Sequence, residues 1–379
     1  MRILHVSESG LPDWRIEKSA LTGIKNNHEV FFAGNMVSPE YKNSIFSSIH
    51  YVPWTPKAMM GLPFNWHKVS KKYSAILKDI NPDIIHAHNI FSAKLASNFD
   101  TPFVYDDHEY WSKYAIIAKE TRNDKLRHKS YSNAFTKYMS NVKSYLVNLK
   151  IIRTWTKWEK DVVSKYPTIT IDKTLARILQ SKYNSSRIFV VPNYPTNDEV
   201  RDISHPKFHD RISCVYVGLD KTGHFKKRDM SGIRSVFNDN NIGTLTLIGP
   251  GEPEVSQKII LTGFLPRKQM FEELSRHSIG LFPWKKHWSH WYLGPNKAYE
   301  YAHAGLLVFS ISSLRTVAQD LGEYCVEFED IDDLVSKLTF YGQDMNTLYE
   351  KRVKAFEFAR KNLLWDNYEA NIIESYKIS

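Results

Sequence analysis

The chain has 379 residues, more than a single hydrophobic core usually serves, so two domains are expected. A hydrophobic share of 42% with 24% charged residues excludes a disordered or fibrous chain, and two cysteines are too few for a disulfide framework. No stretch reaches the roughly 20 apolar residues that span a bilayer, and the apolar run after Met1 is too short for a signal peptide. These properties predict a cytoplasmic protein.

The first half of the chain alternates short apolar runs with helical patterns. Strands are predicted at 2–7, 28–32, 83–88 and 103–105, and helices at 15–25 and 67–77. This alternation predicts a mostly parallel sheet with helices on both faces, in which ligands bind beyond the carboxyl ends of the strands. The polar residues after three of these strands, at 8–10, 86–89 and 106–109, are therefore candidates for a site.

The segment from Lys119 to Lys165 is both basic and aromatic. Twelve lysines and arginines stand against four acidic residues, a local net charge of +8 within a chain of net charge +10. Aromatic residues such as Tyr131, Trp155 and Trp158 are interleaved at loosely helical spacing. The segment is predicted either to lie on an anionic surface or to form ordinary helices that pack on the domain. Nucleic acid, an anionic membrane or a phosphorylated substrate would each suit the charge.

A second alternating series follows a linker rich in proline and asparagine at 192–197. Strands are predicted at 212–217, 244–248, 279–282 and 307–310, and helices at 270–275, 296–304 and from about 348 to 376. The pattern thus favours two doubly wound domains in series.

The strongest local signal is the segment Gly294–Gly305. Gly294 and Pro295 predict a turn, and Asn296 is placed to cap the helix that follows. The N-terminus of a helix suits a phosphate, and Lys297 in the first turn would add a positive charge. Glu300, one turn later, can accept two hydrogen bonds from a ribose diol. The competing interpretation is a capped surface helix with a surface lysine and glutamate.

The run GPNKAYEYAHAGLLV at 294–308 resembles the donor-site signature of glycosyltransferase family 4. Further segments occur in that family's order, at 1–7, 83–88, 102–109, 188–195, 215–218, 247–251 and 262–264. The resemblance implies an α/β protein of the GT-B class, with two Rossmann-like, doubly wound domains facing a central cleft. It divides the chain into an acceptor-side domain at 1–195 with the basic insert at about 119–165, a nucleotide-sugar domain at 196–350, and a C-terminal helix at 351–379 that packs back toward the first domain.

The implied activity is that of a hexosyltransferase, which moves a sugar from a nucleotide sugar to a glycan or lipid-linked acceptor. The resemblance further implies retention at the anomeric carbon, no metal in the chemistry, and no cofactor beyond the donor substrate. Contact with an anionic membrane at the cytosolic face is a further expectation, whereas a nucleic-acid partner is not expected.

The resemblance also assigns residues. Glu300 matches the family's ribose-binding glutamate, whereas Tyr292 stands where the family often has a second glutamate. Arg228 and Lys297, with Lys221 behind them, are the expected cations for the pyrophosphate, whose charge builds as the sugar leaves. His108 matches a histidine that contacts the donor sugar. The remaining predicted donor-binding residues are Gly10, Gly218, Gly249, Gly294, Pro295 and Asn296.

Two further clusters, one of aromatic residues and one of histidines, could belong to a site. Core packing is the simpler interpretation for Trp284. Trp288, Trp291 and Tyr292 are interleaved with basic residues and are expected in a loop that lines a sugar or base pocket. His86 and His88 together with His108 suggest zinc, but neither a cysteine nor a carboxylate has ligand-like spacing, so no metal is expected.

Three alternatives to transfer remain. They are a nucleotide-sugar epimerase or hydrolase on the same scaffold, a nucleic-acid-binding protein that uses the basic insert, and a sugar-nucleotide binder without activity. The first needs no acceptor surface, and the second leaves the Gly294–Gly305 segment unexplained.

Overall fold

The computed structural model describes residues 1–39, 41–127, 129–131, 133–218 and 228–379. It divides into two compact units, Met1–Pro192 with Tyr368–Ser379, and Asn193–Asn367. The C-terminal segment that joins the first unit therefore starts at Tyr368 rather than at 351. The intervening helix, Met345–Asn362, belongs to the second unit.

The first unit contains a seven-stranded sheet. In chain order its strands are β1 (Arg2–Val6), β2 (Glu29–Gly34), β3 (Ile49–Tyr51), β4 (Ile84–His88), β5 (Phe103–Asp107), β6 (Thr168–Thr170) and β7 (Ile188–Val190). Their spatial order is β3-β2-β1-β4-β5-β6-β7, and every pair is parallel. The chain moves outward from β1 to β3 and resumes with β4 on the other side of β1. The carboxyl ends of β1 and β4 therefore form a topological switch point, where such sheets bind ligands.

Eight helices of the first unit lie within its described residues. They are α1 (Trp14–Lys25), α2 (Pro56–Met59), α3 (Pro63–Ile80), α4 (Asn89–Ala96), α5 (Trp111–Arg127), α6 (Ala134–Val163), α7 (Lys173–Tyr183) and α15 (Glu369–Lys377). The predicted basic insert corresponds to the second half of α5 and to α6. One face of α6 buries Ile151, Trp155 and Trp158 against the rest of the unit.

The second unit also contains a seven-stranded sheet. Its strands are β8 (Ser213–Val217), β9 (Thr244–Ile248), β10 (Glu254–Val255), β11 (Ile259–Gly263), β12 (Ile279–Phe282), β13 (Leu307–Ile311) and β14 (Cys325–Phe328). The spatial order is β10-β11-β9-β8-β12-β13-β14, parallel except for the pair β10–β11. Here the switch point lies between β8 and β12.

The helices of the second unit complete the description. They are α8 (Asn197–Val200), α9 (Ile233–Asp239), α10 (Arg267–Leu274), α11 (Asn296–His303), α12 (Arg315–Leu321), α13 (Ile331–Gln343) and α14 (Met345–Asn362), with 3-10 helices at Trp288–Tyr292 and Gly322–Tyr324. A further 3-10 helix covers Trp365–Tyr368. The predicted α/β class with two Rossmann-like domains is confirmed. Across the described residues, no helix combines the length and apolar character needed to cross a membrane.

Candidate functional site

The helix α11 begins at the switch point of the second unit, after the loop that follows β12. Its N-cap residue is Pro295, which has no polar side chain, and no side chain caps the first turn in the described structure. The predicted cap by Asn296 is therefore wrong: Asn296 is already helical, and its Nδ2 donates to Glu300 Oε1 at 3.2 Å. A side-chain cap would occupy the first backbone N–H groups, so its absence leaves them available to an anion.

Glu300 is buried, with an exposed fraction of 2%. Its Oε1 accepts a hydrogen bond from Arg267 Nη1 at 2.7 Å, and Arg267 Nε donates to Glu199 Oε1 at 2.5 Å. Burial lowers the pKa of the Arg267 guanidinium, but Glu300 and Glu199 outweigh this effect and raise the pKa above its usual value. Arg267 was not among the site residues predicted from the sequence. It follows the end of β11 closely, and the rule that located the other strand-end residues could have found it.

Lys297 is the second residue of α11 and is half-buried. Burial lowers its pKa, Glu300 raises it, and the nearby guanidinium groups of Arg228 and Arg267 lower it further, so the net pKa lies below the ordinary value. Arg228 is exposed, with its guanidinium carbon 5.5 Å from the centre of the Trp284 ring. The structure thus brings Arg228 and Arg267 close enough to Lys297 to lower its pKa, and this group of cations is suited to a ligand with concentrated negative charge.

Glycines terminate the strands beside this helix. Gly218 follows β8 with a φ of 148°, and a Cβ there would lie 2.8 Å from the Tyr216 hydroxyl oxygen. Gly249 follows β9, and its N–H donates to the carbonyl oxygen of Gly263 at 3.2 Å. Because β8, β9 and β11 are neighbours, these turns lie along one edge of the sheet. Lys221 lies outside the described residues.

The aromatic segment before Gly294 contains one buried tryptophan and two exposed ones. Trp284 is buried and its indole N–H donates to the Tyr216 hydroxyl at 3.3 Å, so it belongs to the core. Trp288 and Trp291 lie on the 3-10 helix and are 40% and 43% exposed, and the Arg315 guanidinium carbon lies 4.9 Å from the centre of the Trp291 ring. Tyr292, which ends this helix, is half-buried.

In the first unit, His108 follows β5 and is held by two neighbours. Its Nε2 lies 3.1 Å from His88 Nδ1 and 3.4 Å from Asp106 Oδ2. Asp106 is buried and also accepts from Arg15 Nη2 at 2.6 Å. Burial opposes ionisation of Asp106, yet Arg15 and then His108 lower its pKa well below the usual value. His108 is therefore oriented by an ionised carboxylate.

A fourth histidine, His5, lies beside His86 and His88 in the same region. His5 Nδ1 lies 3.0 Å from His88 Nε2, and the rings of His86 and His88 are stacked 4.5 Å apart. Potential ligand atoms of His88, Asp106 and His108 lie close enough to hold a metal ion. The expectation that no carboxylate is placed like a metal ligand is thus wrong for the folded chain, because the pairing of β4 and β5 puts Asp106 opposite His88. Hydrogen bonds and the Arg15 ion pair account for the cluster without an ion, and the metal-free chemistry stays a prediction.

Gly10 lies in the loop between β1 and α1, at the switch point of the first unit. A Cβ on Gly10 would lie 1.4 Å from the carbonyl oxygen of Met36, so no side chain fits there. The predicted site residues therefore belong to two groups. Arg228, Gly218, Gly249 and the segment 294–300 lie in the second unit, whereas Gly10 and His108 lie in the first.

Comparison with solved structures finds whole-chain matches to proteins with two Rossmann-like domains. The sucrose-phosphate synthase of Thermosynechococcus elongatus matches with a TM-score of 0.67 and 11% identity, over 99% of this chain and 98% of that one. WaaG, a glycosyltransferase involved in lipopolysaccharide biosynthesis, matches with a TM-score of 0.63 and 12% identity, over 100% and 99%. The chain has the GT-B fold.

A further GT-B match is HepE of Anabaena, solved in complex with UDP, with a TM-score of 0.61 and 11% identity over 100% of both chains. No protein-family model and no curated protein matches the sequence. At such identities the likeness establishes the fold, and activity has to be argued from the site.

Proposed function

We propose that this chain is a glycosyltransferase that takes a sugar from a nucleotide sugar and transfers it to a glycan or lipid-linked acceptor. The observation that carries the proposal is the cluster of Arg228, Arg267 and Lys297 at the uncapped N-terminus of α11. Arg267 already pairs with Glu199 and Glu300, and a nucleoside diphosphate would supply further negative charge for Lys297 and Arg228. The GT-B fold, shared with HepE in its complex with UDP, supports the same conclusion.

The residues would have the following roles. The N-terminus of α11, with Lys297 and Arg228, would bind the diphosphate and stabilise the charge that develops as the bond to the anomeric carbon breaks. Glu300, fixed by Arg267 and Asn296, would accept hydrogen bonds from the ribose diol. His108, oriented by Asp106, would contact the donor sugar. The proposal includes retention of the anomeric configuration and chemistry without a metal, as the family resemblance implies.

Thermal unfolding with a panel of nucleoside diphosphates tests this function. A ligand at about 100 times its dissociation constant should stabilise the protein by roughly 2.7 kcal/mol. We expect one nucleotide to do so, and Glu300→Ala to remove the effect because the ribose contact is lost. Glu272→Ala, on the exposed face of α10, is the matched control and should keep it. A wild-type protein that no nucleotide stabilises would contradict the proposed function.

We also propose that α6 contacts an anionic membrane surface. Its N-terminal half carries a stripe of exposed apolar side chains, Phe135, Tyr138, Met139, Tyr145 and Leu146, each between 49% and 70% exposed. This stripe lies away from the face that packs on the unit. Lysines and arginines flank it in the segment of local net charge +8. An apolar stripe with flanking cations is typical of helices that lie in a membrane interface.

Liposome flotation tests this contact. We expect binding to vesicles that contain phosphatidylglycerol, weaker binding at high salt, and little binding to pure phosphatidylcholine. The triple variant Phe135→Ser, Tyr138→Ser, Leu146→Ser should lose the binding, as should the replacement of four lysines of the segment by glutamate. Phe340→Ser, at a phenylalanine of the second unit that is 60% exposed, should leave it unchanged. Equal flotation of wild-type protein and triple variant would disprove the contact.

A further inference from the structure

A second polar pair lies at the switch point of the first unit. Glu8 follows the end of β1, and Asn89 directly follows β4 as the first residue of α4. Glu8 Oε1 accepts a hydrogen bond from Asn89 Nδ2 at 2.9 Å. Because β1 and β4 are neighbours, the two side chains meet where a doubly wound sheet receives its ligand.

Each member of the pair keeps one oxygen without a partner. Glu8 and Asn89 are each only 8% exposed, and no described residue bonds to Glu8 Oε2 or Asn89 Oδ1. Buried acceptors are rarely left unpaired, since each costs free energy. Rotation about the last torsion of a glutamate is broad, so the carboxylate can turn its second oxygen toward the exposed edge.

Two further features describe the pair. Asn89 has a φ of 64°, in the left-handed region that asparagine tolerates better than most other residues with side chains. Burial raises the pKa of Glu8 from 4.5 to about 7, although its own backbone N–H, His108 and Asn89 oppose the change. Of the charged groups that face Glu8, Asp13 before α1 raises the pKa and His108 lowers it.

We propose that Glu8 and Asn89 bind a hydroxyl group of the sugar that accepts the transferred residue. Two unpaired acceptor oxygens require hydrogen-bond donors, which a hydroxyl-bearing ring provides. A carboxylate or a fully ionised phosphate provides none and would be repelled by the ionised form of Glu8. The inference rests on the proposed function and assigns the acceptor class and the residues that hold it.

Saturation-transfer NMR with methyl hexopyranosides tests the site, because it detects weak binding of a simple acceptor mimic. We expect at least one of the methyl glucosides, galactosides or mannosides to bind the wild-type protein. Glu8→Gln replaces an acceptor oxygen by an N–H donor and should weaken that binding about tenfold. Glu17→Gln makes the same change at another glutamate that is 8% exposed, and should leave binding unchanged.

The pH dependence provides a second readout. An ionised carboxylate accepts a stronger hydrogen bond, so glycoside binding should strengthen between pH 6 and 8 in the wild type and stay flat in Glu8→Gln. The folded state holds the Glu8 proton more tightly than the unfolded chain. The contribution of Glu8 to the free energy of unfolding is therefore fully present below pH 4.5 and is lost as the pH rises through about 7. At pH 8 Glu8→Gln should unfold at a temperature at least as high as the wild type, which shows that lost binding is not lost folding.

The outcomes separate this inference from the function on which it rests. Binding of no glycoside by the wild type, or equal binding by Glu8→Gln, overturns the acceptor site. If a nucleoside diphosphate still stabilises both proteins in that case, the proposed function is supported and only the acceptor site is overturned. Conversely, glycoside binding that depends on Glu8, without stabilisation by any nucleotide, would support a sugar site and contradict the transferase function.

Discussion

Lys297→Met is expected to weaken stabilisation by nucleoside diphosphates strongly, without reducing the stability of the unliganded protein. The lysine is half-buried beside Arg228 and Arg267, and its pKa is lowered in the folded state. Its positive charge therefore destabilises the fold when no anion is bound. Methionine keeps the apolar stem and removes that charge. A charge-assisted hydrogen bond contributes about 1.5–3 kcal/mol, which corresponds to an affinity loss of roughly ten- to a hundredfold.

The same variant should slow turnover more than it weakens binding. Charge on the phosphate grows as the sugar leaves, and the loss of one donor to such a charge typically reduces the rate by about 10²–10³-fold. Thermal unfolding with and without nucleotide, together with initial rates of donor consumption, measures both effects. Lys268→Met is the matched control, since Lys268 is also the second residue of a helix, α10, but is exposed. Nucleotide binding that survives Lys297→Met intact would remove Lys297 from the site.

Arg267→Met is expected to destabilise the second unit by about 3–5 kcal/mol, because it leaves the buried Glu300 carboxylate without its ion-pair partner. Glu300 is 2% exposed, and Arg267 also binds Glu199, so one substitution breaks both ion pairs. Urea unfolding at neutral pH measures the loss.

The double variant Arg267→Met, Glu300→Gln separates this electrostatic effect from lost packing. A neutral amide at position 300 costs less to bury unpaired than a carboxylate, so the double variant should be more stable than Arg267→Met alone. Arg276→Met, in the turn that follows α10, removes the pair that its exposed guanidinium forms with Glu273 and should cost no more than about 1 kcal/mol. Equal stability of wild type and Arg267→Met would show that the pair does not hold α10 against α11.

The central strands were predictable from the sequence. The predicted bounds of β9 and β12 coincide with those of the structure, and those of β4 and β13 differ by one residue. Strands covered on both faces are continuously apolar, and this signal is local. The strands β3, β6, β7, β10 and β14, each of two to four residues, were missed, and so was the five-residue strand β11. Their positions depend on the neighbouring strands.

The candidate site was partly predictable for the same reason. Gly294 and Pro295 predict a turn before a helix, so Lys297 and Glu300 were placed on the first turns of α11 correctly. The cap was assigned to Asn296 because asparagine is a good cap residue, but the amide binds Glu300 instead. The preference of asparagine for helix caps does not decide whether its side chain caps the helix or binds a partner one turn away.

The sequence by itself determined the α/β class, the two domains and the segment that begins α11. These follow from hydrophobic periodicity, turn residues and capping preferences, all of which act over a few neighbouring residues. Only the tertiary structure decided which groups meet: Arg267 with Glu300, Arg15 with Asp106, and Asn89 with Glu8, pairs that are 33, 91 and 81 residues apart. Contacts at such separations depend on the order and register of strands in a sheet. Burial then shifts the pKa values of these groups, and burial is a property of the packed fold.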